Sequence, residues 1–135
     1  MKKIILLLFA WTTTVTWGQS LLTPELLWKM GRVSDPRLSP DGSKVVYGIR
    51  RTDLSANKGN SDLWLLDMTT GQTKPLCADS SNESSARWSG DGKRIYFLCD
   101  ASGSSQLWSV QPDGSDRKQV SFLKDDINEY GVAQN

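Results

Sequence analysis

The chain has no histidine. A Ser-His-Asp hydrolytic triad needs an imidazole to take the nucleophile's proton near neutral pH, so none can be assembled from these 135 residues. Cysteine is almost as scarce. Cys77 and Cys99 stand alone without a CxxC spacing, too few soft ligands for a structural zinc site. No residue is therefore assigned as catalytic, cofactor-binding or metal-ligating. A membrane-length apolar run is also missing: a bilayer span needs roughly 20 apolar residues, and the stretch Ile4–Trp11 is interrupted by Thr12, Thr13 and Thr14. Neither sign of charge is in excess, with 16 basic against 15 acidic residues, which gives no electrostatic footing for a nucleic-acid partner. At 38% hydrophobic and 23% charged, the composition is that of a globular protein rather than a disordered one. What stands out against these scarcities is six tryptophans.

The N-terminus reads as an export signal. Lys2 and Lys3 form a basic n-region ahead of the short apolar run, and Thr16 and Gly18 put small residues three and one positions before Gln19. That pattern predicts cleavage between Gly18 and Gln19, hence a signal peptide over 1–18, periplasmic or secreted localisation, and no stable membrane anchor after cleavage. An uncleaved anchor is the competing reading. Losing Lys2 and Lys3 leaves 14 basic residues against 15 acidic ones, a mature net charge near −1. The first cysteine is Cys77, so a lipid-anchored signal is not indicated.

An internal repeat organises the rest. Ser34–Ile49 lies over Ser85–Cys99, with Asp41-Gly42 recurring as Asp91-Gly92 at a spacing of 50 (92 − 42). Further on, Leu63-Trp64 recurs as Leu107-Trp108 at a spacing of 44 (107 − 63). The six-residue difference falls in the polar stretch Arg50–Asn60, read as a longer loop than its counterpart Asp100–Ser105. Each Asp-Gly pair separates two apolar stretches and supplies the positive φ of a hairpin turn. Val45, Tyr47 and Ile49, matched by Ile95, Phe97 and Cys99, alternate with period two as a strand requires. A third strand carries the repeated Leu-Trp, Thr70-Gly71 or Asp113-Gly114 makes the next turn, and a fourth strand runs through Leu76 or Val120. Pro75 cannot donate to a ladder, which places that fourth strand at a sheet edge. Thr23, Pro24 and Gly31 punctuate a short helix before the first repeat.

Four short antiparallel strands in a unit of 44 to 50 residues predict an all-β fold, an incomplete β-propeller. The expected organisation is a signal peptide over 1–18, an N-terminal segment with the helix over 19–32, blade 1 over 33–80, blade 2 over 81–124, and the start of blade 3 over 125–135. Two blades cannot close a ring, so a fragment ending at a hairpin tip is expected.

Several residues have two readings. Cys77 and Cys99 could form a disulfide between blades in an oxidising compartment, but Cys99 takes the place of Ile49, which favours an apolar core residue. Trp64 and Trp108 could be a binding platform, but blade packing is favoured. Asp125, Asp126, Asn128 and Glu129 carry oxygens close together as calcium loops do, but Tyr130 breaks the pattern and an interblade linker is favoured. The Arg50-Arg51-Thr52-Asp53 loop could contact a substrate or a further domain, but a solvated loop is favoured, and the Asn82-Glu83-Ser84 sequon is given no role.

Leu38-Ser39-Pro40-Asp41-Gly42 and Trp88-Ser89-Gly90-Asp91-Gly92 resemble the W-S-P-D-G signature of TolB-like propeller repeats, with Gly90 replacing the usual proline. The stretch Leu22–Gly42 resembles the start of secreted prolyl oligopeptidase family enzymes of the acylaminoacyl-peptidase and dipeptidyl-peptidase V type. The resemblance implies a propeller that gates access of peptide substrate to a C-terminal α/β-hydrolase domain carrying a G-x-S-x-G nucleophile, Asp and His. Those residues are absent here, so this chain is expected to be inactive without that domain and the remaining blades, and to need no cofactor. The alternative is a TolB-like exported propeller that binds a protein partner and performs no chemistry.

Overall fold

The structure, a computed structural model, describes residues 22–77 and 79–133. The signal peptide expected over 1–18 lies outside them. A short helix α1 (Pro24–Lys29) is followed by eight strands. Thr23 caps α1 through its side chain, which accepts the Leu26 amide, and Pro24 occupies the first turn, where its missing N–H costs nothing. The helix buries none of its residues.

The strands β1 (Arg32–Leu38), β2 (Lys44–Asp53), β3 (Lys58–Asp67) and β4 (Thr73–Cys77) form one antiparallel sheet in sequential order. The strands β5 (Glu83–Trp88), β6 (Ile95–Cys99), β7 (Gln106–Val110) and β8 (Lys118–Gln119) form a second with the same topology. Gly42 and Gly92 take φ values of 73° and 68° at the two Asp-Gly turns, where a side chain would be strained. β4 lies at the edge of its sheet, and Pro75 faces Trp64 beside a register shift, as its missing donor requires.

The polar stretch Arg50–Asn60 is not the loop its composition suggests. β2 and β3 run on as a paired ribbon through Arg50↔Ser61, Arg51↔Asn60, Thr52↔Gly59 and Asp53↔Lys58. Asn57 turns the chain with a φ of 47°, and the Asp53 carboxylate accepts the Ser55 and Ala56 amides. Backbone pairing and turn chemistry hold this extension, neither of which needs an apolar period.

The core lies between the two sheets. Val46, Leu63, Leu65, Leu76 and Cys77 of the first meet Ala86, Trp88, Ile95, Phe97, Cys99 and Val110 of the second, with Trp108 packed against them. Fully burying a side chain such as Phe97 contributes about 1.5–3 kcal/mol, so this seam is the main tie between the sheets. Beyond β8 the chain carries no strand among residues 120–133. It is strapped back instead, with the Ile127 amide donating to the Ser105 carbonyl and the Ser105 amide to Asp126 Oδ1.

Candidate functional site

Polar chemistry concentrates at two places, the first of them set by the repeat. The first is on the leading strands β1 and β5. Each has a register shift at the same point, between Ser34 and Arg37 and between Ser84 and Arg87. Each shift contains a residue at positive φ, Asp35 at 46° and Ser85 at 55°. A bulge of this kind kinks the strand and re-aims the neighbouring side chains. Arg37 and Arg87, equivalent in the two repeats, converge on one carboxylate: Arg37 Nη2 lies 2.7 Å from Asp35 Oδ1, and Arg87 Nη1 lies 2.7 Å from Asp35 Oδ2. The Trp88 indole N–H donates to the Arg37 carbonyl at 3.0 Å, tying the sheets at that level. The Tyr130 hydroxyl sits 2.6 Å from the Ser85 carbonyl oxygen and 2.8 Å from that of Tyr96, and can donate to one at a time. Burial pushes its phenol above the ordinary tyrosine value.

The second place is the seam, where Arg117 reaches from the turn before β8 across the face of its sheet. Its guanidinium lies over the rings of Trp108 and Phe97, 5.2 and 5.6 Å from their centroids. It pairs with Asp79 through Nη1 and with Glu83 Oε1 through Nη2 at 3.2 Å, and lies 3.1 Å from Cys99 Sγ. Glu83 is 1% exposed, and its Oε2 meets no donor among the described residues. The two partners respond differently. Burial works against the Arg117 charge, but Asp79 and its other neighbours hold it above its ordinary value. Burial outweighs Arg117 at Glu83 and, with Asp79 adding to it, lifts its carboxyl to about 7. Desolvation thus wins at the carboxylate.

One cavity adjoins both places, and a larger cleft lies apart from them. The cavity, of about 330 Å³, lies between the sheets and is lined by Ser34, Asp35, Gly48, Ser61, Glu83 and Ser85, among others. The open cleft, of about 700 Å³, lies at the Asp-Gly turn end, where Lys44, Lys74, Lys93 and Arg94 face Asp91 and Asp113. Among the described residues, no three His, Cys, Asp or Glu side chains converge on a possible metal position. In the seam the buried Cys99 thiol lies 3.8 Å from Glu83 Oε1. What the two places offer is guanidinium and carboxylate groups for binding and for joining the sheets.

Cys77 and Cys99 are buried free thiols, and burial pushes Cys77 up to about 12. Trp108 packs in the seam, whereas Trp64 lies half-buried under the Arg51 guanidinium at 5.5 Å. The acidic stretch 125–129 belongs to the strap on β7, where Asp126 accepts an amide and the Asp125 carbonyl accepts from Gln106. The Asn82-Glu83-Ser84 triplet opens β5, with the Asn82 side chain held by Asp100. The sequence marks none of Glu83, Arg117 and Asp35 as a charged partner: the exposed Val33 opens the first repeat near the place of Glu83, and nothing in a polar turn marks Arg117 as bound for the seam.

A family profile described as "TolB beta propeller domain" matches residues 21–134. The chain belongs to that family. Its two sheets are TolB-type propeller blades, each of four antiparallel strands. This TolB propeller is 35% identical over 122 residues to dipeptidyl-peptidase 5 of Porphyromonas endodontalis, covering 90% of the chain and 18% of that protein. It is 40% identical over 86 residues to the dipeptidyl-peptidase 5 of Porphyromonas gingivalis, covering 64% of the chain and 13% of that protein. Among solved structures it is similar to Pyrococcus horikoshii acylaminoacyl peptidase, with 26% identity and a TM-score of 0.61 over 73% of the chain and 15% of that protein. The chain therefore spans less than a fifth of the length of these relatives. Among the described residues no helix is long and apolar enough to cross a membrane.

Proposed function

We propose that this chain is the propeller portion of an exported serine peptidase that removes dipeptides or acylated residues from peptides. In this reading residues 1–18 are the signal peptide, 19–32 the N-terminal segment, 33–80 and 81–124 two blades, and 125–135 the start of a third. The remaining blades and a C-terminal α/β-hydrolase domain supply the nucleophile and the histidine that this chain lacks. The propeller restricts entry to short peptides.

The observation that carries the reading is the 35% identity to a dipeptidyl-peptidase 5 across nine-tenths of the chain. Arg37 and Arg87, side by side on the leading strands, give the propeller groups able to hold a peptide carboxylate or carbonyl. Reading the coding sequence beyond the Asn135 codon tests the proposal. Further repeats, a Gly-x-Ser-x-Gly turn and a downstream histidine are expected. A frame that closes after more repeats with no hydrolase segment would overturn it in favour of a binding propeller without chemistry. Export is tested separately by N-terminal sequencing of the extracytoplasmic protein, which should begin at Gln19.

A further inference from the structure

We propose that the seam between the two sheets is a pH-sensitive joint, in which the Glu83 carboxyl takes up a proton when the sheets close and gives it up when they part. Glu83 opens β5 directly after the linker from β4, so it sits where the chain passes from the first sheet to the second. It is sealed there: its side chain is 0% exposed. One oxygen is used, since Oε1 accepts from Arg117 and lies 3.8 Å from Cys99 Sγ. The other meets no donor among the described residues. An ionised carboxylate would keep half its charge on an oxygen that no protein donor meets among the described residues, in a buried site, which is costly. Protonation at Oε2 removes that charge and leaves the Arg117 contact at Oε1 intact.

The other charged groups around the joint reinforce this. From the linker, Asp79 carries a full charge, its carboxyl lowered to about 2 by the Ser81 hydroxyl, its amide and Arg117, against burial. From β3, Asp62 contributes a second carboxylate, itself raised by burial despite Arg51. Both repel a charge on Glu83. From β4, Cys77 stays a neutral thiol well past neutrality, and β6 contributes the Cys99 thiol. Arg117 is the only cation facing Glu83 among the described residues that act on it, and it is shared with Asp79.

The sign follows from linkage. Glu83 moves from 4.5 to about 7 on closure, so its contribution is complete below 4.5 and is lost as pH rises through 7. In that interval the closed-to-open ratio falls by about tenfold per pH unit. The group opposing it at the acid end is Asp79, whose contribution holds above 3.8 and fades as pH falls towards 2. The joint is thus tightest in mildly acid solution.

Hydrogen exchange of the full chain, followed at β4 and β5 between pH 5 and 8 and corrected for intrinsic rates, tests the proposal. Opening should increase at least tenfold over that range in the wild type and less than about twofold in Glu83→Gln. The same pH response in Glu83→Gln, or its loss in Asp62→Asn instead, would overturn the assignment. A direct carboxyl titration of Glu83 by NMR guards against a variant that fails to fold: a midpoint near 7 supports the joint, and one near 4.5 sinks it.

Discussion

At the scale of the residue, Arg117 does three things at once: it stacks on two rings, neutralises the linker carboxylate and caps Glu83. Truncating one member of a buried pair leaves the other uncompensated and typically costs about 3–5 kcal/mol. Glu83 can escape that cost by taking a proton. Arg117→Ala is therefore expected to destabilise the chain by about 2–4 kcal/mol at pH 8, and by clearly less at pH 5, as read from urea melts at the two values. An equal loss at both would mean that ring stacking, not the carboxylate, is what the guanidinium supplies. None of this was legible in the sequence. Glu83 and Arg117 are 34 positions apart, and neither lies in a motif. Asp41, Asp91 and the glycines after them were legible, because a turn written in local chemistry needs no distant partner to be recognised.

At the scale of the element, strands that alternate apolar residues are legible, and the polar outer half of the β2–β3 ribbon is not. β6 reads from its period-two pattern because one face is buried in the seam. The outer half of the β2–β3 ribbon has Arg50, Arg51, Thr52 and Asp53 on one side and Lys58, Gly59 and Asn60 on the other. It buries no apolar face, so the sequence holds no signal of it. Its contribution to stability should be correspondingly small. Replacing residues 52–59 by Asn-Gly, which makes a tight hairpin turn, is expected to change the unfolding free energy by less than about 1 kcal/mol. Phe97→Ala, in the middle strand of the seam and 0% exposed, should cost about 3–5 kcal/mol. If the ribbon proved the larger loss, the seam would not be the main source of cohesion.

At the scale of the whole molecule, the sheets are not covered alike. Leu76 in the first sheet is 7% exposed because the second sheet lies over it, whereas its repeat counterpart Val120 is 45% exposed. Phe122 and Leu123 beside it, and Val33 and Leu38 on β1, are among the most exposed large apolar side chains. Such patches favour association. The isolated chain should sediment as concentration-dependent oligomers, and Phe122→Ser with Leu123→Ser should shift it towards monomer. Unchanged sedimentation would place the contact elsewhere. The repeat made the pairing of sheets legible, but not how the seam is joined, since that depends on groups brought together only by the fold.

The three Asp-Gly turns also bear on how the molecule ages. Asp-Gly bonds are prone to isomerise when the glycine nitrogen attacks the neighbouring side-chain carbonyl, which needs a free amide and a protonated carboxyl. Here the amides of Gly42, Gly92 and Gly114 are each spent on a backbone carbonyl three residues back. The carboxyls of Asp41, Asp91 and Asp113 are held ionised by the hydroxyls of Ser39, Ser89 and Ser115 and by nearby amides. Ser39→Ala should hasten isoaspartate formation at Asp41 on prolonged incubation, readable by mass spectrometry, while Asp91 in the same molecule keeps its slow rate. The bonds that shape each turn thereby set its chemical lifetime.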